Sequence, residues 1–162
     1  MTVVRQEDQL VEIENDQICG VRHTHWISEP GGLSQFGALV QVLPPGSFSS
    51  IKHWHSAEDE FVYVLDGEVT LIEGDVITIL RVGDAATFPA GVAVGHHLTN
   101  NGDRLAQYLV VGARVLIDVI TCPDHDRVCH RDRSHPDDIW TDSQGHPASN
   151  PYHARPANGQ GS

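Results

Sequence analysis

The sequence predicts an all-β protein, a sandwich or barrel of short strands, and two observations carry this prediction. Turn signals rich in glycine, proline, asparagine and aspartate recur every 8–16 residues between Gln35 and Ile120, which leaves room for strands but hardly for helices. The segments between the turns are rich in β-branched and aromatic residues and alternate with a period of two. The predicted strands lie at 38–43, 61–65, 68–72, 76–80 and 105–111.

The chain divides into three regions, and the segments with strand-like alternation lie in the first two. Residues 1–34 form an N-terminal segment, in which the short alternation from Leu10 to Ile13 could supply an edge strand or a dimer contact. Residues 35–120 hold the predicted barrel strands. Two turns of the barrel, Asp66-Gly67 and Glu73-Gly74-Asp75, are predicted to be tight hairpin connections, because glycine readily adopts the positive φ that such turns need.

The third region, residues 121–162, has a different composition. It holds five prolines and five histidines and no run of alternating apolar residues, so we expect an irregular C-terminal arm and tail. Its histidines lack ligand spacing and are expected at the surface. Ile139 and Trp140 could anchor the arm on the barrel, and the end beyond about Asn150 is expected to be disordered.

Length, cysteine content and the N-terminal residues restrict the class of protein. With 162 residues, of which 40% are apolar, the chain can bury about 70% of its unfolded surface as one domain without disulfides. Cys19, Cys122 and Cys129 cannot all pair and lack the Cys-x-x-Cys spacing of zinc or redox sites. No secretory signal is visible at the N-terminus, and no stretch reaches ~18 apolar residues. We therefore expect a cytoplasmic protein with reduced thiols.

The charge of the chain restricts its partners. There are 22 acidic residues against 10 Lys and Arg, which gives a net charge of −12 at pH 7, and Lys and Arg form no local cluster. Such a surface repels phosphate backbones and anionic lipid headgroups, so we expect neither nucleic acid nor a membrane as a partner. The same charge mildly disfavours phosphorylated substrates. The expected partner is a small-molecule ligand or substrate.

The strongest chemical signal is the set His53, His55, Glu60 and His96. Residues i and i+2 of a strand face the same side, so His53 and His55 can point together into a barrel. A hairpin could bring Glu60 opposite them, and His96 supplies a third imidazole. Three nitrogen donors and one carboxylate suit one divalent transition metal per chain, Mn, Fe, Ni, Co or Zn, rather than an all-oxygen calcium site. Four protein ligands on an octahedral ion leave two positions for substrate or water.

Two motifs around these residues resemble those of the cupin superfamily, G-x5-H-x-H-x3,4-E-x6-G and G-x5-P-x-G-x2-H-x3-N. The residues that match the first motif are Gly46, His53, His55, Glu60 and Gly67. The residues that match the second are Gly83, Pro89, Gly91, His96 and Asn100. Two gaps are longer than in the motifs: six residues separate Gly46 from His53, and four separate Gly91 from His96.

The longer gap in the second motif makes His97 an alternative ligand. Only His96 keeps the three-residue gap to Asn100, and adjacent residues of a strand face opposite sides. We therefore predict that His96 is the ligand and that His97 points away from the metal site.

The resemblance, which is closest to small single-domain (RmlC-like) cupins, implies a double-stranded β-helix, the cupin jelly-roll barrel. It implies that a metal is bound inside by His53, His55, Glu60 and His96, and we expect a homodimer. Side-chain alternation places Val62 and Val64 inside the barrel and Trp54 and Tyr63 outside.

Three functions are compatible with this resemblance. The first is a metal-dependent isomerase or epimerase of a small sugar or sugar-phosphate-like hydroxy-carbonyl compound, with the ion as Lewis acid. The second is a metal-dependent dioxygenase, and the third is a non-catalytic ligand-binding or sensor protein. We favour the isomerase and assign no catalytic residue, because Glu58 and Asp59, which could act as bases, are expected to lie in a solvated loop.

Overall fold

The computed structural model describes residues 3–153. The strands in chain order are β1 (Leu10–Asp16), β2 (Gly20–Trp26), β3 (Phe36–Leu43), β4 (Trp54–His55), β5 (Glu60–Asp66), β6 (Glu68–Glu73), β7 (Val76–Arg81), β8 (Ala85–Phe88), β9 (His96–Thr99), β10 (Ala106–Ala113), β11 (Ile117–Cys122), β12 (Arg127–Asp132) and β13 (Ile139–Thr141). A short helix, α1 (Ser28–Gly31), follows β2, and 3₁₀ turns lie at Gln6–Asp8, Pro123–His125 and Pro151–His153. The strands predicted between residues 38 and 111 are all present, with small shifts at their ends.

The strands form three antiparallel sheets. The largest has the order β1-β2-β3-β10-β5-β8, the second β13-β12-β11-β4, and the third β7-β6-β9. Backbone bridges from Phe48 to Thr99 and from His53 to His96 join the segment before β4 to β9. The arrangement confirms the predicted all-β double-stranded β-helix.

The hydrophobic core lies between the six-stranded sheet and the three-stranded sheet. The six-stranded sheet contributes Val62, Val64 and Tyr108, which are all buried, and Val69 and Leu98 pack against them from the other side. Each such side chain contributes about 1.5–3 kcal/mol through burial of apolar surface.

Side-chain alternation along β5 follows the prediction. Val62 and Val64 are buried in the barrel, whereas Tyr63 between them is 38% exposed. Trp54 on β4 is half-buried. The period-two pattern therefore identified the interior face of β5.

One of the two predicted hairpins is correct and the other is wrong. Gly74-Asp75 joins β6 to β7, which pair directly from Glu73 and Val76 onward. Asp66-Gly67 does not form a hairpin, because β5 pairs with β8 and β10 while β6 pairs with β7 and β9. Here the chain passes from one sheet to another, and Gly67 has a φ of +73°. Glycine with a positive φ therefore occurs both in the hairpin turn, at Gly74, and where the chain crosses between sheets, at Gly67.

The two ends of the chain both add strands to the barrel. At the N-terminal end, β1 lies at the edge of the six-stranded sheet and pairs with β2. At the C-terminal end, β11 pairs with β4, and β12 and β13 extend that sheet. This region is more regular than its composition indicates, because the alternation in Ile117–Cys122 continues past residue 120.

Apolar side chains hold the end of the described chain on the barrel. Trp140 and Tyr152 pack against the buried cluster of Cys19, Ile51 and Cys122, whereas Ile139 is exposed. The hydroxyl of Tyr152 accepts a hydrogen bond of 3.2 Å from the Ile51 amide. The expectation of disorder after Asn150 therefore does not hold for residues 151–153, and for residues 154–162 it lies outside the described residues.

Two further expectations are that the cysteines are reduced thiols and that no segment is apolar enough to span a membrane. Cys19, Cys122 and Cys129 are buried free thiols. Within residues 3–153, no helix has the length and apolar character needed to cross a bilayer.

Candidate metal centre

The four predicted metal ligands lie on or beside β4, β5 and β9, which belong to three different sheets. His53 immediately precedes β4, His55 ends it, Glu60 begins β5 and His96 begins β9. The backbones of His53 and His96 exchange hydrogen bonds of 3.1 and 2.9 Å. This bridge holds the two histidines side by side although they are far apart in sequence.

The side chains of the four residues converge. The ring of His53 lies 5.1 Å from the rings of both His55 and His96, measured between centroids. His96 Nε2 lies 3.0 Å from Glu60 Oε2. Donor atoms of His53, His55 and Glu60 lie within 4.8 Å of one another. One ion could therefore reach donors from His53, His55 and Glu60, and His96 lies beside this cluster through its contact with Glu60.

Hydrogen bonds to the outer ring nitrogens orient two of the imidazoles. His53 Nδ1 lies 3.0 Å from the carbonyl oxygen of Ile51, and His55 Nδ1 lies 2.6 Å from Asp118 Oδ2. Each contact favours a proton on Nδ1, since a carbonyl or carboxylate oxygen can only accept. Nε2 of each ring then carries the lone pair that a metal needs, as in many metal sites.

The ionisation states of His53 and Glu60 suit a cation. Burial lowers the pKa of His53 to about 4. Burial raises the pKa of Glu60, but the hydrogen bond with His96 and the surrounding imidazoles outweigh this and lower the pKa to about 2. At neutral pH, His53 is thus a neutral donor and Glu60 is an anion. This donor set fits a divalent first-row transition metal.

His96, rather than His97, faces the other three residues. His96 is 6% exposed and stacks on Phe88, with ring centroids 3.6 Å apart. His97 lies on the alternate side of β9, where its Nδ1 is 3.2 Å from the carbonyl oxygen of Ser50 and its ring is tilted against Phe48. Strand alternation therefore separates the two adjacent histidines as expected.

Three of the four residues, His53, His55 and Glu60, border a cavity of about 460 Å³. Its walls come from β2, β3 and β10 on one side and from β11 and β12 on the other. A second cavity of about 160 Å³ shares His53 and Glu60 with the first and is also lined by His96 and Tyr108. The larger volume is within the range of small-molecule sites, ~300–1,000 Å³.

The charge of the cavity lining differs from that of the whole chain. The charged residues that line the larger cavity are Arg22, Arg114, Arg131, Arg133, Glu14, Glu58, Asp59 and Glu60. Four arginines balance four carboxylates, so the lining has a formal charge of zero, whereas the chain carries −12. Four of the 10 basic residues of the chain are therefore concentrated here.

The expectation that Glu58 lies in a solvated loop is wrong. Glu58 is 6% exposed and accepts hydrogen bonds from the Val115 amide at 3.0 Å and from the Arg133 guanidinium at 2.8 Å. Asp59 is exposed, and its Oδ1 accepts a hydrogen bond of 2.7 Å from the Ala90 amide. Glu58 is buried because the C-terminal strands cover it, and local sequence around residues 56–60 gives no sign of them.

Sequence reasoning also missed Asp118 and the arginines of the C-terminal strands. Asp118 is 1% exposed, and Arg131 and Arg133 reach the cavity from β12 and the residue that follows it. One signal was available: Asp118 is a lone carboxylate in the apolar alternation Ile117–Cys122. A charged residue on the inner face of a strand is rarely buried without a specific partner.

Comparison with known proteins identifies the family. The model of the Cupin domain family matches residues 39–112. A sugar phosphate isomerase of the cupin superfamily from Silicibacter pomeroyi is 32% identical, with a TM-score of 0.77, and the match covers 86% of this chain and 92% of that chain. The chain belongs to the cupin superfamily. No protein of curated function matches it.

Other solved structures share the fold. A proposed sugar phosphate isomerase from Acidithiobacillus ferrooxidans is 24% identical, has a TM-score of 0.78, and is matched over 91% of this chain and 96% of that one. A predicted oxalate decarboxylase from Thermotoga maritima is 23% identical, has a TM-score of 0.60, and is matched over 70% and 100% of the two chains. In the first two comparisons, the similarity extends beyond residues 39–112 and takes in most of the chain.

Proposed function

We propose that this cupin binds one divalent transition metal through His53, His55, Glu60 and His96. We further propose that it isomerises or epimerises a small sugar or sugar-phosphate-like hydroxy-carbonyl compound. The observation that carries the proposal is the cluster of His53, His55 and Glu60 at the border of a 460 Å³ cavity, with His96 Nε2 3.0 Å from Glu60 Oε2. An ion held there would be open to the cavity.

The residues of the site have separate roles in this proposal. The bound ion supplies Lewis-acid stabilisation of negative charge that develops on substrate oxygens. Glu60 offsets part of the charge of the ion, and the three imidazoles fix its position without adding charge. Asp59 and Glu14 are carboxylates of the cavity lining outside the ligand set, and such groups can accept or return a proton.

The arginines of the cavity support a substrate with an anionic group. A divalent ion would change the formal charge of the lining from zero to about +2, which attracts anions despite the negative surface elsewhere. Arg131 and Arg133 are each about one-third exposed at the side chain, and each is paired with a carboxylate, Asp138 and Glu58 respectively. The exposed part of each guanidinium is what a ligand could reach. Guanidinium groups suit phosphate and carboxylate oxygens in particular.

The name of one relative supports the same substrate class. The Silicibacter pomeroyi protein is called a sugar phosphate isomerase and aligns with 86% of this chain at 32% identity. The four arginines of the cavity lining are the groups of this chain that would bind the phosphate of such a substrate.

Metal binding is the first prediction of the proposal. Protein purified without chelator should contain about one transition-metal ion per chain, since donor atoms of His53, His55 and Glu60 lie within 4.8 Å of one another and His96 adjoins them. The affinity should fall at acid pH as protons compete for the imidazoles. His53 and Glu60 keep their metal-binding forms down to about pH 4. The loss of metal affinity should therefore occur as the pH falls below neutral, and not as it rises above neutral. Elemental analysis with a pH series of Co²⁺ titrations measures both, and metal-free protein that takes up no Co²⁺ would contradict the proposal.

The reaction class is tested with protein reconstituted separately with Mn²⁺, Fe²⁺, Ni²⁺ and Zn²⁺. Each form is incubated with paired phosphorylated and unphosphorylated aldoses and ketoses, and isomerisation is followed by NMR while an electrode records oxygen. We expect isomerisation without oxygen uptake, faster with the phosphorylated member of a pair. Substrate-dependent oxygen uptake would instead favour a dioxygenase, and saturable binding without turnover would favour a sensor.

A further inference from the structure

Asp118 on β11 is a buried carboxylate with three hydrogen-bond donors around it. Its Oδ2 lies 2.6 Å from His55 Nδ1. Its Oδ1 accepts hydrogen bonds of 3.0 Å from Ser56 Oγ and 2.9 Å from the Ala57 amide. Only 1% of Asp118 is exposed, and a buried carboxylate is tolerated only when such donors compensate its lost hydration.

The pairing of β11 with β4 places this carboxylate. Ile120 pairs with His55, and Thr121 pairs with Trp54. Both β11 and Asp118 lie outside residues 39–112, which match the family model. The C-terminal strands therefore bring a charged group against a residue of the part of the barrel that matches the family model.

We propose that Asp118 is a positioning residue of the metal site, and this inference rests on the proposed function. It holds the proton of His55 on Nδ1 and fixes the ring so that the lone pair of Nε2 faces the other ligands. The negative charge of Asp118 also makes the imidazole of His55 a stronger electron-pair donor to a metal ion. Among the hydrogen bonds of residues 3–153, His53 Nδ1 meets the neutral Ile51 carbonyl and the Ser50 hydroxyl, so the carboxylate partner distinguishes His55 from His53.

Substitution of Asp118 by asparagine removes this arrangement while keeping the size of the side chain. If the amide oxygen faces His55, the amide nitrogen meets the Ala57 N–H and two donors oppose each other. If the amide is reversed, its N–H₂ group faces His55 Nδ1 and favours the tautomer with the proton on Nε2. Either orientation weakens His55 as a ligand.

The first test is titration of metal-free protein with Co²⁺. For Asp118→Asn, we expect the affinity to fall by about 10- to 100-fold, the usual range for loss of an outer partner of a metal-bound histidine. The matched control is Ser56→Ala, which removes the Ser56 bonds to Asp118 and to the Val119 amide but leaves the contact with His55. The control should stay within about twofold of the wild-type affinity. Equal affinities for Asp118→Asn and wild type, or equal losses in both variants, would overturn the inference.

The second test needs only the wild-type protein without metal. Long-range ¹H–¹⁵N correlation spectra distinguish the two imidazole tautomers, and we expect His55 to carry its proton on Nδ1. A proton on Nε2 would overturn the inference, even if Asp118→Asn fails to fold. Wild-type protein that binds no Co²⁺ but has the Nδ1–H tautomer would contradict the proposed function and leave the positioning of His55 by Asp118 intact.

Discussion

His96→Ala is expected to lower the affinity for Co²⁺ by more than ~100-fold, the upper value for loss of an outer partner, because a direct ligand is removed. His97→Ala should stay within about twofold of wild type, because that ring lies on the other side of β9 against Phe48. The two substitutions are chemically identical and adjacent in sequence. Isothermal titration of the metal-free proteins measures the difference.

The same pair of variants links metal binding to stability. A ligand that binds only the folded state adds about 2.7 kcal/mol to the free energy of unfolding when its concentration is 100 times Kd. At that Co²⁺ concentration, a variant with 100-fold weaker binding keeps only about 0.4 kcal/mol of this gain. Urea unfolding with and without Co²⁺ should therefore show the gain in wild type and His97→Ala only. An equal gain in His96→Ala would reject His96 as a ligand.

Gly67→Ala is expected to destabilise the protein by about 3 kcal/mol, at the upper end of the range for single substitutions. Gly67 has a φ of +73°, and a Cβ atom there would lie 2.8 Å from the carbonyl oxygen of Leu105 and 3.1 Å from the Cα atom of Ala106. Both neighbours are backbone atoms that cannot rotate away. The chain crosses between two sheets at this point, so a shift would disturb both. Urea unfolding monitored by tryptophan fluorescence measures the loss.

Gly46→Ala is the matched control for Gly67→Ala. Gly46 has a φ of +79°, but a Cβ atom there meets no described atom within 4 Å. This variant therefore has only the cost of the left-handed conformation, about 1–2 kcal/mol. If the two variants lose equal stability, close packing at Gly67 is not the cause of its effect.

The core of the fold could be predicted from the sequence because local signals specify it. The alternation of Val62, Tyr63 and Val64 is a property of one strand, and it gave the buried face correctly. Strand partners are not a local property. Asp66-Gly67 has the residues of a hairpin turn, yet β5 and β6 pair with other strands, and only the packing of distant segments decides this.

The candidate metal site could be predicted to the same extent. His53, His55, Glu60 and His96 have spacings within short motifs, and the structure brings them together. Asp118 on β11 and Arg133 just after β12 reach the site from beyond residue 112, and their positions depend on the pairing of β11 with β4 and β12. The composition of residues 121–162 indicated an irregular tail, which concealed the contribution of Arg131 and Arg133 to the cavity.

Anomalous diffraction from crystals of the Co²⁺-loaded protein tests the central claim most directly. We predict one cobalt peak per chain, within about 2.0–2.2 Å of a donor atom from each of His53, His55, Glu60 and His96, the range for nitrogen and carboxylate ligands of such ions. His97 should not contact the ion. A fully loaded protein whose cobalt peak lies elsewhere, or contacts fewer than three of these four residues, would contradict the account.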